Sequence, residues 1–151
     1  MLHLQVIQVG KTKEKYIKEA VNEYLKRLKS VCKIEIITLK EKKGDKNKII
    51  QQEGKEIIQK INEPAFVVAL DVAGHEKSSE EFAKFILELQ HNSKITFVIG
   101  GAYGLSGDVI KRADYLLSLS RMTFTHQIIR VIFWEQIYRA FTIIEGKSYH
   151  H

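Results

Sequence analysis

The chain has 151 residues, of which 44% are hydrophobic and 28% charged, and its formal net charge is +6. These values fit one globular domain, residues 1–151, better than two, and the basic charge favours an anionic partner such as RNA without requiring one. The single cysteine, Cys32, excludes an intramolecular disulfide and argues against a cysteine-based zinc site, in agreement with a reducing compartment.

Neither end of the sequence predicts a targeting or membrane segment. The opening MLHLQVIQVGKTKEK has a short apolar run with no basic segment before it, unlike a signal peptide. The longest apolar region, IIRVIFWEQIYRAFTII, is interrupted by Arg130, Glu135 and Arg139, charges that a membrane helix would strongly disfavour. We therefore expect a cytoplasmic protein with no membrane partner.

The first half of the chain alternates between strand and helix patterns. The β-branched run LHLQVIQV predicts a strand that ends at Gly10, and the apolar residues after it recur at helical spacing, with Thr12 as a helix cap. Pro64 is expected to end a second helix. The predicted elements are a strand at 2–9, a helix within 13–30, a strand at 33–39, a charged loop at 41–47 and a helix at 48–62.

The second half continues this alternation. AFVVALDV is almost continuously apolar, which suits a strand covered on both faces. Gly74 is expected to turn the chain, and Ser78 or Ser79 to cap the next helix. The predicted elements are a strand at 65–72, a helix at 80–90, a strand at 94–101, a short helix at 107–113, a short strand at 115–120 and a long helix at 126–146.

Alternating strands and helices predict an α/β fold in which helices cover both faces of a parallel sheet. In open sheets of this kind, ligands bind beyond the carboxyl ends of the strands. Three of these ends stand out, with the sequences LDVAG, IGGAYG and LSLSRMTFTHQ.

The glycine-rich segment VIGGAYGLSGDV, residues 98–109, does not match the common nucleotide-binding motifs. A dinucleotide fingerprint needs G-x-G-x-x-G after the first strand with an acid about twenty residues on, and a P-loop needs Gly-Lys-Ser/Thr. Here the spacing is G-G-x-x-G after a late strand, and neither companion feature is present. The glycines predict a turn with a positive φ or a close backbone approach, and a turn made only for packing remains an alternative.

The final predicted helix carries the most informative side chains. Arg130, Trp134 and Tyr138 follow at intervals of four and share one face. Glu135 and Arg139 form an i, i+4 pair, which is either a surface ion pair or part of a functional site. Because the helix is apolar around so much of its circumference, we expect it to pack against a partner subunit.

The six histidines contain no pair with metal-ligand spacing, and no Ser-His-Asp, Cys-His or paired-carboxylate arrangement stands out. The sequence therefore predicts no metal site. Asp71, at a strand end, is a candidate acid that could equally cap the next turn.

Four segments together resemble a known family. QVIQVGKTKEKYIKEAVNEYLKRL, VVALDVAG, FVIGGAYGL and YLLSLSRMTFTHQIIRVIFWEQIYRAFTIIEGKSYHH cover nearly the whole chain. In order and spacing they resemble the bacterial 23S ribosomal RNA pseudouridine methyltransferase H family, a minimal group of SPOUT methyltransferases. Thr125 is the one departure, since a proline is expected before the histidine.

The resemblance implies an α/β-knot fold, in which the C-terminal part of a parallel sheet is threaded as a trefoil knot. It also implies a homodimer whose substrate site is shared between subunits. The cofactor would be S-adenosyl-L-methionine, held at positions matching the family's motifs: Leu70, Gly100, Leu119, Ser120, Arg121, Met122, Thr123 and Phe124. A side chain at Gly100 is expected to block this cofactor and leave the fold largely intact.

The implied reaction is methylation at N3 of pseudouridine 1915, in helix 69 of the 23S ribosomal RNA, on the assembled ribosome. The candidates for catalysis on the family's motifs are His126, Arg139, Tyr149 and His150. Lysines near the sheet rim are candidates for contact with the RNA backbone, namely Lys11, Lys13 and Lys15.

Two other functions remain open from the sequence. A ribosome-binding factor of the same shape would associate with ribosomes without transferring a methyl group. A doubly wound domain that binds another nucleotide is the third hypothesis, against which the glycine spacing already counts.

Overall fold

The computed structural model describes residues 1–62 and 64–149 and shows strands alternating with helices. The candidate His150 lies outside these residues. The elements are β1 (Leu2–Val9), α1 (Lys15–Leu28), β2 (Cys32–Leu39), α2 (Lys46–Lys60), β3 (Phe66–Glu76), α3 (Ser79–Leu89), β4 (Ile95–Ile99), α4 (Gly107–Arg112), β5 (Tyr115–Ser118) and α5 (Ile128–Ile144).

The five strands form one parallel sheet in the order β2-β1-β4-β3-β5. The register aligns their carboxyl ends in one row. Val9 pairs with Leu39, Gln8 with Ile99, and the last paired residue of β4 on the other side is Val98, opposite Ala69 of β3. The loops that follow β1 to β5 therefore emerge along the same edge of the sheet.

Helices cover both faces of the sheet, as predicted. On one face, α1, α3 and α5 enclose the larger core, in which Trp134, Phe133 and Phe97 are almost fully buried. On the other face, α2 and α4 close a smaller core through Ile57 and Val109. Burial of both faces explains why residues 66–70 of β3 and most of β4 are apolar rather than alternating. The trefoil threading implied by the resemblance remains a prediction.

Two local predictions were wrong. Gly74 does not turn the chain, because β3 continues to Glu76 with a register shift between Leu70 and His75. A Cβ at Gly74 would lie 2.7 Å from the Leu116 backbone, so the glycine serves the close approach of β3 to β5. Thr12 does not cap α1, which begins after Glu14 without a side-chain cap; the Thr12 hydroxyl accepts a hydrogen bond from elsewhere in the chain, as given below.

The start of α3 follows its sequence. Ser78, one of the two candidates, accepts a hydrogen bond from the amide of Glu81, whose carboxylate accepts one from the amide of Ser78 in return. This capping box satisfies amides that the first helical turn leaves unpaired. At α2, the Asp45 carboxylate accepts from the Lys48 amide, so the helix begins two residues before the predicted start.

Most of the apolar circumference of α5 is covered by this chain itself. Arg130 and Trp134 are each 1% exposed, and Tyr138 packs partly buried against α1. A partner subunit is therefore not needed to explain the apolar character of the helix. Its first turn differs, because Ile128 is exposed.

Candidate functional site

A cleft of about 430 Å³ lies at the carboxyl ends of β3, β4 and β5. It is lined by residues 70–72 of β3, where the register shifts, by most of residues 99–105 from the end of β4 onward, and by residues between 117 and 126 from the end of β5 onward, with Ile129 of α5. These are the three strand-end loops that stood out in the sequence, and the structure brings them together. The volume is in the range of small-molecule sites.

Seven of the eight residues expected to bind the cofactor line this cleft: Leu70, Gly100, Leu119, Ser120, Met122, Thr123 and Phe124. The eighth, Arg121, does not. Its side chain is 85% exposed, and its Nε lies 3.7 Å from the Glu76 carboxylate. The grouping of the seven is a finding, while their contact with a cofactor remains a prediction.

The glycine loop has both features predicted for it. Gly104 has a φ of +84°, and Gly101 and Gly104 form an antiparallel bridge that closes the turn. Gly100 serves close approach, because a Cβ there would lie 2.7 Å from Leu105 Cδ2 and 3.2 Å from the carbonyl oxygen of Gly104. A side chain at Gly100 would press on Leu105 and Gly104 within the loop, and the expectation that it blocks the cofactor and largely spares the fold stays a prediction.

Helix α2 packs against the glycine loop through Glu53 and Gly54, a pair of residues that the sequence analysis missed. A Cβ on Gly54 would overlap the Ser106 side chain, so the glycine permits the helix to approach the loop. The Glu53 carboxylate lies 3.0 Å from the position of a Cβ on Gly101, is almost fully buried, and accepts a hydrogen bond from the Lys42 amide. Burial raises the pKa of Glu53 above its usual value. A glycine in the middle of a helical pattern was the available clue.

The loop after β5 is held by its own hydroxyls. Ser118 Oγ donates to the carbonyl of Ser120, and Ser120 Oγ accepts from the Met122 amide. Thr125, which stands where the family has proline, accepts from the Ile128 amide at 3.2 Å. The departure from the family pattern thus supplies a hydroxyl that satisfies an amide at the start of α5.

His126 is the candidate catalytic residue that lies in the cleft. Its Nε2 is 3.6 Å from the Glu41 carboxylate. Burial lowers the pKa of His126 below its usual value, nearby Arg130 lowers it further, and Glu41 opposes both. The imidazole is therefore neutral at pH 7 and able to accept a proton.

The first turn of α5 clamps the β1–α1 loop. The buried guanidinium of Arg130 donates to the carbonyls of Val9 and Gly10 at 2.7 and 2.9 Å, and to the Thr12 hydroxyl at 3.0 Å. The side chain of Gln127 donates to the Lys11 carbonyl and accepts from the Lys13 amide. The sequence placed Arg130 on the face shared with Trp134 but did not reveal this clamp.

Arg139 and Tyr149 lie apart from the cleft. Arg139 is ten residues beyond Ile129, which is about 15 Å along the helix axis. Its Nε donates to the Glu135 carboxylate at 3.0 Å, and its guanidinium lies 4.9 Å from the Tyr149 ring. Tyr149 also packs edge-on against Tyr138, and burial, assisted by a hydrogen bond with Tyr24, raises its pKa to about 12. We call this group the Arg139–Tyr149 cluster.

Among residues 1–62 and 64–149, no group of three or more acidic, histidine or cysteine side chains is arranged to hold a metal ion. Across the same residues, none of the helices has the length and apolar character needed to span a membrane.

Comparisons with known proteins agree with this architecture. The family model described as "Predicted SPOUT methyltransferase" matches residues 2–150. Ribosomal RNA large subunit methyltransferase H 1 of Clostridium perfringens is 49% identical, and the protein named ribosomal RNA large subunit methyltransferase H in Carboxydothermus hydrogenoformans is 46% identical; both alignments cover 99% of each chain.

A solved structure, the SpoU methyltransferase AviRb from Streptomyces viridochromogenes in complex with AdoMet, matches 96% of this chain and 59% of that chain. Its TM-score of 0.46 and identity of 10% are too low to support any conclusion about this chain. The family model and the two relatives are sufficient: the chain belongs to the SPOUT methyltransferases, in the ribosomal RNA large subunit methyltransferase H family.

Proposed function

We propose that this protein transfers a methyl group from S-adenosyl-L-methionine to N3 of pseudouridine 1915 in 23S ribosomal RNA, on the assembled ribosome in the cytoplasm. The observation that carries the proposal is the cleft at the carboxyl ends of β3, β4 and β5, lined by seven residues at the family's cofactor positions. The names of the two relatives support the choice of large-subunit ribosomal RNA as substrate.

The cleft fits this cofactor in shape and chemistry. The backbone at Gly100 and Gly101 leaves no room for side chains of its own and presents peptide groups to the cleft. Leucines at 70, 117 and 119 provide an apolar wall, and the loop after β5 adds hydroxyl and peptide groups. When bound, the cofactor supplies an electrophilic methyl group on a sulfonium.

The residues of the cleft then have two tasks. They hold the donor so that the attacking nitrogen approaches in line, and orientation of this kind accounts for a large part of such rate enhancements. They also remove the N3 proton of the nucleobase. We assign that proton to His126, because its ring is neutral at pH 7 and lines the same cleft.

A second copy of the chain would supply the remaining groups. Within one chain, the Arg139–Tyr149 cluster lies about 15 Å along α5 from the cleft. Four large apolar side chains at the cleft are exposed, a pattern typical of an interface: Val72, Met122 and Phe124 in its lining and Ile128 beside it. We propose a homodimer that covers these residues and has one protomer's cluster at the other's cleft. Arg139 would then bind a phosphate or orient the base.

Two measurements test the proposal. Isothermal titration should detect binding of S-adenosyl-L-methionine, and labelled methyl transfer should modify ribosomes that lack the modification but not ribosomes that already carry it. Association with ribosomes without methyl transfer would instead support the ribosome-binding factor. Absence of cofactor binding at millimolar concentration would refute the proposal.

A further inference from the structure

We infer that the loops after β1 and β2 form a phosphate-binding surface that docks the RNA backbone beside the cleft. We call this surface the lysine rim and define it as residues 10–15 and 40–48. The inference rests on the proposed function for its ligand, an RNA, and adds where the RNA is held.

The lysine rim carries nearly all of the protein's net charge. It contains eight lysines against the three carboxylates of Glu14, Glu41 and Asp45, a net charge of +5 out of +6 for the chain. The rest of the molecule is therefore close to neutral. Charge concentrated at one edge of a fold attracts a polyanion to that edge.

The sheet register places this charge next to the cleft. β1 lies between β2 and β4, and the amide of Gly10 donates to the carbonyl of Leu39 at 2.7 Å, so the two loops begin side by side. Adjacent strands are about 4.8 Å apart, which puts the start of the loop after β2 about 10 Å from the glycine loop after β4. That spacing is shorter than two phosphate intervals along a nucleic-acid strand.

Contacts between the loops fix the lysine rim relative to the cleft. Glu41 lies 3.4 Å from the Lys13 amine and 3.6 Å from His126. Lys46 Nζ lies 6.0 Å from the centre of the Tyr103 ring, in the glycine loop. At the start of α5, hydrogen bonds from Arg130 and Gln127 hold the backbone of residues 9–13. The lysine rim is thus a positioned surface rather than a freely solvated loop.

The lysines divide into two groups. Lys13 and Lys42 form ion pairs with Glu41 and Glu56 and hold the loops in place, and Lys15 pairs with Glu19 within α1. Across residues 1–62 and 64–149, in contrast, no carboxylate oxygen lies within 4.0 Å of the amines of Lys40, Lys43 and Lys46. All three side chains are exposed. The amines of Lys11 and Lys48 meet the same two criteria among these residues, so five amines of the lysine rim are available to neutralise phosphates.

The test removes three of the five available charges, those from the end of β2 to the first residue of α2, by the triple substitution Lys40→Gln, Lys43→Gln and Lys46→Gln. A matched control replaces three exposed lysines near the amino edge of the sheet, Lys26→Gln, Lys29→Gln and Lys60→Gln. Binding of a 23S rRNA stem-loop and of ribosomes is measured over a range of salt concentrations, alongside cofactor titration and methyl transfer.

For the lysine-rim variant, the slope of log affinity against log salt should fall by about 2 to 3, since each lost phosphate contact removes slightly less than one unit. The KM for ribosomes should rise by roughly tenfold or more at physiological salt. Cofactor affinity should not change, and the control should behave like the wild type.

An unchanged salt slope and KM in the lysine-rim variant would overturn the inference, as would an equal loss in the control. Failure of the two proposals can be told apart. If the wild type transfers methyl groups and the variant matches it, only the lysine rim is refuted. If RNA binding depends on these lysines but the wild type transfers no methyl group, only the proposed reaction is refuted.

Discussion

The cleft and the Arg139–Tyr149 cluster differ in how much of each one chain provides. Seven of the eight expected cofactor residues line a single cleft formed by three loops of one protomer. Arg139, farther along α5, and Tyr149, beyond the end of that helix, are assigned to catalysis by the same sequence motifs but contact each other instead. We therefore propose that one chain suffices to bind the methyl donor, whereas attack on the nucleotide depends on a second copy.

The largest effect is expected from closing the cleft itself. Leu119→Arg places a long charged side chain in the half-buried apolar wall and fills the cleft, so cofactor affinity should fall by about 100-fold or more and methyl transfer should be lost with it. Titration with S-adenosyl-L-methionine measures the first and labelled methyl transfer the second. Leu87→Arg, at an exposed leucine on α3, is the control and should bind normally.

A substitution in the Arg139–Tyr149 cluster should lower methyl transfer without lowering cofactor affinity. Arg139→Ala should lower methyl transfer by about 100-fold and leave cofactor affinity unchanged if, as we propose, the guanidinium acts on the RNA of the other protomer's site. The same two assays report both values. Glu135→Ala is the companion variant, since it removes the ion pair but keeps the cation. An equal loss of cofactor binding and transfer in Arg139→Ala would assign Arg139 a purely structural role.

The pH dependence tests which residue of the cleft takes the proton. Because burial and Arg130 lower the pKa of His126, its neutral form persists at pH 7 and is lost only as the pH falls below the usual histidine value of about 6.5. The kcat for methyl transfer should therefore decline on the acid side with a slope of one. His126→Asn should remove this limb and lower kcat by about 100-fold. A profile that keeps its acid limb in the variant would move the base elsewhere.

The smallest effect is expected where α2 supports the cleft. Gly54→Ala should destabilise the fold by about 1–3 kcal/mol, because the added methyl group overlaps the Ser106 side chain. Alanine's helix propensity offsets about 1 kcal/mol of this. Thermal unfolding measures the loss, and the double variant Gly54→Ala with Ser106→Gly should recover part of it. A Gly54→Ala protein as stable as the wild type would show that α2 and the glycine loop can separate without penalty.

The strands and helices were predictable because their apolar periods are regular, and the family motifs identified the loops that form the cleft. What could not be predicted depends on contacts between distant segments. Gly74 appeared to be a turn because its sequence does not reveal that β5 approaches it. Thr12 appeared to be a helix cap because its partner, Arg130, lies 118 residues away along the chain. Glu53 and Gly54 were missed because their role exists only once α2 rests against the glycine loop.

Sequence also could not show that Arg139 is far from the cleft within its own chain. Arg139 follows His126 by only thirteen residues in the sequence. The two are far apart in space because α5 carries Arg139 away from the cleft. Because of this separation, the expected homodimer is what would bring Arg139 to a cleft. The proposed mechanism therefore depends on a site that two protomers share.

Complementation between two inactive variants tests that claim most directly. Arg139→Ala and Leu119→Arg chains, carrying different affinity tags, are co-expressed, and the dimers that hold one of each are purified. In a site shared across the two-fold axis, one of the two sites then combines an intact cleft with an intact Arg139, so the mixed dimer should recover about half of the wild-type methyl transfer. If the mixed dimer stays as inactive as its parents, Arg139 acts within its own chain and the shared site is contradicted.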